Sequence, residues 1–179
     1  MFKVKVSDEI INHCKNQIEL YNFGKRKEAN GNKEQQLTGI IGQSVVMNLF
    51  KQGYVDGATG FDGGIDIEFF NYKIDVKTMG RMCDVRSDYT NNFLKLQDYF
   101  NTDIYIFCSY NKKTQELTIC GWIDKELFKQ KRKYYSKGST RIRANGTTFK
   151  TFTDLYEIDN NKINDVLSVS ELKTQIILH

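Results

Sequence analysis

The chain has 179 residues, 40% of them apolar and 27% charged, and its 12 Phe and 10 Tyr supply enough large side chains for a buried core. That length suits one domain and excludes two large ones, and the aromatic content argues against extended disorder. A net charge of +4 leans towards a polyanionic partner without specifying a fold.

The opening segment, Met1 to Val6, lacks the apolar stretch and small-residue cleavage site of a signal peptide, and no later run approaches the length of a membrane span. A cytoplasmic protein with no membrane partner is expected. Ser7, followed by Asp8 and Glu9, reads as the N-cap of a helix over Asp8 to Tyr21. A polar loop, Gly24 to Lys33, leads to a second helix over Glu34 to Gln52. Its apolar residues (Leu37, Ile40, Ile41, Val45, Val46, Met47, Leu49, Phe50) cover nearly every side, which predicts a buried helix and places the polar Gln43 among apolar neighbours.

A Gly-rich connection, Gly53 to Gly64, precedes two alternating runs, Ile65 to Phe70 and Lys73 to Thr78, which read as a β-hairpin around Asn71 and Tyr72. Ile65, Ile67 and Phe69 share one face with Ile74 and Val76. The expected pairs are Phe70 with Lys73, Phe69 with Ile74, Glu68 with Asp75, Ile67 with Val76 and Asp66 with Lys77. A slip of one residue would mix the two faces. Directly opposed side chains have Cβ atoms roughly 5 Å apart, so Asp66, Glu68, Asp75 and Lys77 are expected to cluster. One lysine cannot neutralise three carboxylates, whereas a hard divalent cation such as Mg²⁺, which takes oxygen ligands at about 2.1 Å, can. The same four residues would also suit a solvated sheet face of mixed charge.

Strands are expected at Asp103 to Ser109 and Leu117 to Trp122, followed by a helix at Asp124 to Lys131. From its last turn onward Lys129, Lys131, Arg132, Lys133, Lys137, Arg141 and Arg143 occur with no intervening acid, interleaved with Tyr134 and Tyr135. Such a run offers donors to a phosphate backbone, and it equally suits a solvated surface. A hairpin with Asn145-Gly146 as its turn would join Thr140 to Ala144 with Thr147 to Phe152. The remaining stretch to Leu178 reads as a strand, Leu155 to Ile158, and a closing helix. The cysteines (Cys14, Cys83, Cys108, Cys120) stand singly and the histidines are only His13 and His179, so neither a zinc site nor a disulfide framework is expected.

Asp66, then Asp75-Val76-Lys77 on the next strand, resembles the signature of the PD-(D/E)xK nuclease superfamily. The approach Gly60-Phe61-Asp62-Gly63-Gly64-Ile65-Asp66 is similar to the Gly-rich entry of many members. Gly39-Ile40-Ile41-Gly42-Gln43 is similar to its helix motif, with Gln43 where a Glu is usual and Ile65 where the proline of the name stands. The resemblance spans about Thr38 to Asp124. It implies an α/β (α+β) protein with a restriction-endonuclease-like core over about residues 34–131: a central mixed β-sheet flanked by helices, with a basic C-terminal β-hairpin and helix extension over 132–179, all within one nuclease-like domain. It implies a metal-dependent endonuclease acting on DNA, RNA being the related possibility. Asp66, Asp75, Lys77 and Gln43 would be catalytic. Asp66, Asp75 and Glu68 would hold Mg²⁺, with Mn²⁺ able to substitute, and Lys129, Lys131, Arg132, Lys133, Arg141 and Arg143 would bind the nucleic acid. Double-strand cleavage would favour a homodimer. An inactive nucleic-acid-binding or scaffolding protein on the same fold is the alternative, and Gln43 is the residue that favours it.

Overall fold

The computed structural model describes residues 1–23, 31–60, 63–142 and 146–179. Much of the loop expected before the second helix, Phe61 and Asp62 of the Gly-rich approach, Arg143, and Ala144 and Asn145 at the hairpin turn all lie outside the described residues. Five strands form a curled mixed sheet in the order β1-β6-β5-β3-β2, where β1 is Phe2–Lys5, β2 Ile67–Phe69, β3 Tyr72–Arg81, β5 Ile104–Asn111 and β6 Glu116–Asp124. Only β3 and β5 run parallel; the other pairs are antiparallel. All eight residues of the central β5 are buried, because both faces of the sheet are covered.

Helices α1 (Asp8–Leu20) and α2 (Lys33–Leu49) cover one face. Ser7 Oγ accepts from the Ile10 N–H and caps α1, as expected from the sequence. At the start of α2, Asn32 and Gln35 form a reciprocal capping box, with bonds of 2.9 and 3.0 Å, so the cap comes from within the segment read as loop. Ile40, Ile41, Val45 and Val46 of α2 pack against Ile74, Val76, Ile104, Ile106 and Ile119, with Ile10 and Cys14 of α1 and Leu172 and Ile176 of α4 (Val169–Ile177) completing this core.

The opposite face holds a second core, built by Tyr105, Phe107, Cys120 and Ile123 of the sheet with Phe93, Phe128, Tyr156 and Ile158. It is closed by α3 (Lys125–Lys131) and by a three-stranded sheet, β4-β10-β7, of Thr90–Leu94, Leu155–Asp159 and Lys133–Tyr135. The connection from β3 to β5 therefore runs through β4 and a short 3₁₀ turn, Lys95–Gln97, where a helix is the commoner crossover. A separate hairpin, β8 (Thr140–Ile142) with β9 (Thr148–Lys150), appears where the sequence predicts one. Among the described residues no helix is long and apolar enough to cross a membrane.

The β2–β3 hairpin forms with the expected faces and a different register. Phe69 pairs with Tyr72, Glu68 with Lys73 and Ile67 with Ile74, two residues away from the expected alignment. The turn is Phe70-Asn71, with φ of 47° and 68°, the left-handed pair of a type I′ turn. An even slip leaves every side chain on its own face, so alternation alone cannot choose between the two registers. The observed one keeps Tyr72 in the strand, half-buried against the first core, and leaves Phe70 to solvent.

Candidate active site

The regular β2–β3 ladder stops at Ile67 and Ile74, and Asp66 takes over from there. Its N–H donates to the Ile74 carbonyl at 2.9 Å, and its Oδ2 accepts the Val76 N–H at 2.7 Å. The Asp66 carboxylate thus reaches the peptide that joins Asp75 to Val76. What precedes it is held just as closely. Gly64 has φ of 83°, and a Cβ there would fall 2.2 Å from the Phe100 ring, so only glycine fits; its carbonyl accepts from Thr102 Oγ1 at 2.9 Å.

Asp75 and Lys77 project from the face of β3 turned to the second core. Asp75 is 2% exposed, and its Oδ2 lies 2.7 Å from Lys77 Nζ. That ammonium also stands 5.3 Å from the Phe93 ring centroid. Across the parallel pair from Asp75 is Tyr105, fully buried; burial first, and then the charge of Asp75, push its phenol well above the ordinary range. The ion pair is therefore enclosed on this side by aromatic rings. Neither Phe93 nor Tyr105 was marked as a site residue by the sequence, although Tyr105 falls on the outward alternation of a predicted strand.

The register moves Glu68 away from this pair. It faces Lys73, one step nearer the turn, and is exposed, so the expected cluster of three carboxylates and a lysine reduces to Asp66, Asp75 and Lys77. Among the described residues no three Asp, Glu, His or Cys side chains converge into a metal-binding group. Two carboxylates with water and phosphate oxygens are nevertheless an ordinary ligand set for Mg²⁺, which seldom relies on a cage made wholly of protein. The donor set of Asp66 and Asp75 fits that use.

Gln43 follows Gly42, the residue that α2 presses against Thr78 of β3. Thr78 shares the face of Ile74 and Val76, so the helix meets the strand from the side opposite Asp75 and Lys77. Gln43 itself is half-buried.

The basic run is distributed among acidic and carbonyl partners. Arg132 forks onto Asp98, with a bond of 2.9 Å from Nη2, and its guanidinium lies 3.6 Å from the centroid of Tyr156. Arg141 makes a bidentate pair with the buried Glu157, including a 3.1 Å bond from Nε, and stacks 3.9 Å from Tyr135. Lys129 pairs with Glu126 at 2.6 Å and Lys131 donates to the Lys162 carbonyl at 3.0 Å, while Lys133 is exposed with Asp159 at 3.9 Å. The two described arginines thus join β10 and α3 to their surroundings. Hydrogen bonds from Arg132 hold the Asp98 carboxyl below its usual range. Because that pKa is depressed on folding, the pair's contribution is full above the ordinary value near 4 and is lost as pH falls through the folded value. Asp98→Asn is expected to lose roughly 2 kcal/mol at pH 7 and to converge on the wild type in strong acid, as urea unfolding at the two pH values will show.

No family model, no curated protein and no solved structure matches the chain.

Proposed function

We propose that the chain is a metal-dependent endonuclease that hydrolyses phosphodiester bonds of DNA on a restriction-endonuclease-like core. The reading is carried by one observation: the buried Asp75 carboxylate paired with the half-buried Lys77 at 2.7 Å, with the Asp66 carboxylate held one peptide away. Buried ion pairs add little net stability compared with apolar side chains of similar volume, so a pair enclosed by Phe93 and Tyr105 favours a chemical role over a structural one. The order of elements supports it too: α2, the β2–β3 hairpin, parallel β5, then β6 and α3 match those the resemblance implies.

Asp66 and Asp75 would hold Mg²⁺, or Mn²⁺ in its place, and the bound ion would polarise a phosphate oxygen and lower the pKa of a coordinated water. Asp66 is oriented by the Val76 N–H, which donates to its Oδ2 at 2.7 Å. Lys77 exchanges its contact with Asp75 for one with the substrate, where its ammonium orients the attacking water and offsets charge on the phosphate. Phe93 and Tyr105 keep the rear of the pair dry, which strengthens each electrostatic contact. RNA offers the same phosphodiester, and cutting both strands of a duplex would call for two copies of the chain.

The second reading is a nucleic-acid-binding protein without catalysis. It draws support from Gln43 and from the near-complete burial of Asp75. Incubation with supercoiled plasmid and with branched DNA, in Mg²⁺, Mn²⁺ or EDTA, separates the two. The nuclease reading expects metal-dependent nicking that falls by at least about a thousandfold in Asp66→Asn and in Asp75→Asn. Salt-sensitive binding with no cutting of any substrate would instead establish the binder.

A further inference from the structure

The face of β3 that carries Asp75 and Lys77 holds a second cation further along. Arg81 stands four residues beyond Lys77, roughly 13 Å along the strand, or about four base steps of a duplex. Its Nη2 donates to the Thr90 carbonyl at 2.8 Å, and its guanidinium lies 4.9 Å from the centroid of the Tyr89 ring. Arg86 stacks on the same ring at 4.9 Å. The charged neighbours already have partners: Arg86 forks onto Asp88 at 3.0 Å, and Asp84 takes Lys3 at 2.6 Å and Asn111 at 2.8 Å.

Arg81 differs from them. Its Nε is buried without an acceptor, and among the described residues the side chain makes no ion pair. Burial lowers its pKa, the expected response of a cation that lacks a counter-charge. A half-buried guanidinium held by a backbone carbonyl and an aromatic ring, with no carboxylate on it among the described residues, is suited to the oxygens of a phosphate. Arg132 and Arg141, also set on aromatic rings, each have a carboxylate to accept theirs.

We propose that Arg81, fixed by Thr90 and stacked on Tyr89, binds a backbone phosphate of the nucleic-acid strand whose scissile phosphodiester lies at Asp66, Asp75 and Lys77. This rests on the nuclease reading for its substrate and adds to it the track along which the strand lies. Arg81 and Arg86 both stack on Tyr89, and the structure separates them: Arg86 has the Asp88 carboxylate, and among the described residues Arg81 has none.

The test is fluorescence anisotropy of a labelled DNA duplex over a series of KCl concentrations, with Ca²⁺ present, for wild type, Arg81→Gln, Arg81→Lys and Arg86→Gln. Arg81→Gln is expected to weaken binding about tenfold on every sequence and to reduce the slope of log K against log salt by about one. Arg81→Lys keeps the charge and loses the fork, so it should keep the slope and lose affinity; Arg86→Gln should match wild type. Wild-type affinity and slope in Arg81→Gln would overturn the proposal, as would wild-type affinity in Arg81→Lys if the glutamine variant does not fold. Thermal melting with inorganic phosphate covers the other source of this ligand: stabilisation of wild type but not Arg81→Gln, with duplex binding unchanged between them, would assign Arg81 to free phosphate and overturn the nucleic-acid form. Plasmid nicking by the same preparations reads the nuclease assignment separately, so that either can fail alone.

Discussion

Lys77→Met is expected to lower the unfolding free energy by about 3–5 kcal/mol, and the double variant Asp75→Leu/Lys77→Met to recover most of that loss. The single substitution removes the ammonium 2.7 Å from a carboxylate that is 2% exposed and leaves Asp75 charged beside the Tyr105 ring. A buried carboxylate that loses a cation this close has its charged form disfavoured. The deficit of Lys77→Met should therefore be largest at neutral pH and shrink as the solution is acidified towards the carboxyl's folded value, where the group enters the neutral form. The double variant has no charge left to desolvate and fills the space with apolar atoms. Urea melts of the wild type and both variants at pH 7 and pH 5 measure all of this. On the nuclease proposal neither variant should cleave DNA, so a stable and inactive double variant would divide the chemistry proposed for the pair from its part in folding. Equal stability of all three proteins at pH 7 would show that the pair is hydrated in solution and would remove the argument from burial.

The parts of this picture that the sequence carries are those set by periodicity. Apolar residues on nearly every side of α2 announce its burial, and alternation in the β2–β3 hairpin assigns Asp75 and Lys77 to one face and Ile74 and Val76 to the other. Register is a different matter, because a period of two makes a slip of two invisible; only the choice of Phe70-Asn71 as the turn decides that Glu68 faces Lys73. The second sheet was hidden for a related reason. β4 reads Thr90-Asn91-Asn92-Phe93-Leu94, too polar for a strand by composition, yet Asn91 is buried and donates to Asn160 at 2.7 Å. Its NH2 group finds its acceptors far along the chain, on Asn160 and the Ile158 carbonyl.

The same distance in sequence hides the partners of the basic run. Arg132 and Arg141 look unneutralised between Lys129 and Arg143, but their carboxylates come from Asp98 and Glu157, 34 and 16 residues away. A local count of charge measures what is missing nearby and not what the fold delivers. Arg81 gives the converse case: it sits in a segment with Asp84 and Asp88 close in sequence, and both are claimed by other cations.

Gly42→Ala is the substitution expected to disturb the fold most per atom added. A Cβ at that position would lie 1.9 Å from Thr78 Oγ1 and 2.8 Å from both Cβ and Cγ2 of Thr78, distances that no rotamer of an alanine methyl can relieve. Thr78 is on β3, midway between the hairpin and Gly80, which itself meets Thr38 of the same helix. The helix must therefore retreat from the strand along much of its contact. Overpacking of this kind costs about 1–3 kcal/mol and more where neither side yields, and here one side is the central layer of the first core. The gain in helix propensity from replacing glycine, at most about 1 kcal/mol, does not offset it. Thr78→Ala in the same chain should restore part of the loss by removing Oγ1 and Cγ2, while the Cβ contact at 2.8 Å remains. Thr78→Val alone should be neutral or stabilising, since it replaces a buried hydroxyl that has no partner among the described residues. Thermal melts of the wild type, of Gly42→Ala and Thr78→Ala alone and of the two combined test the coupling, with Thr78→Val measured beside them. Additive effects of the two alanine substitutions would mean that α2 sits further from β3 than the 1.9 Å approach requires, and with it that the glycines of this helix are not what brings α2 to the strand bearing Asp75 and Lys77.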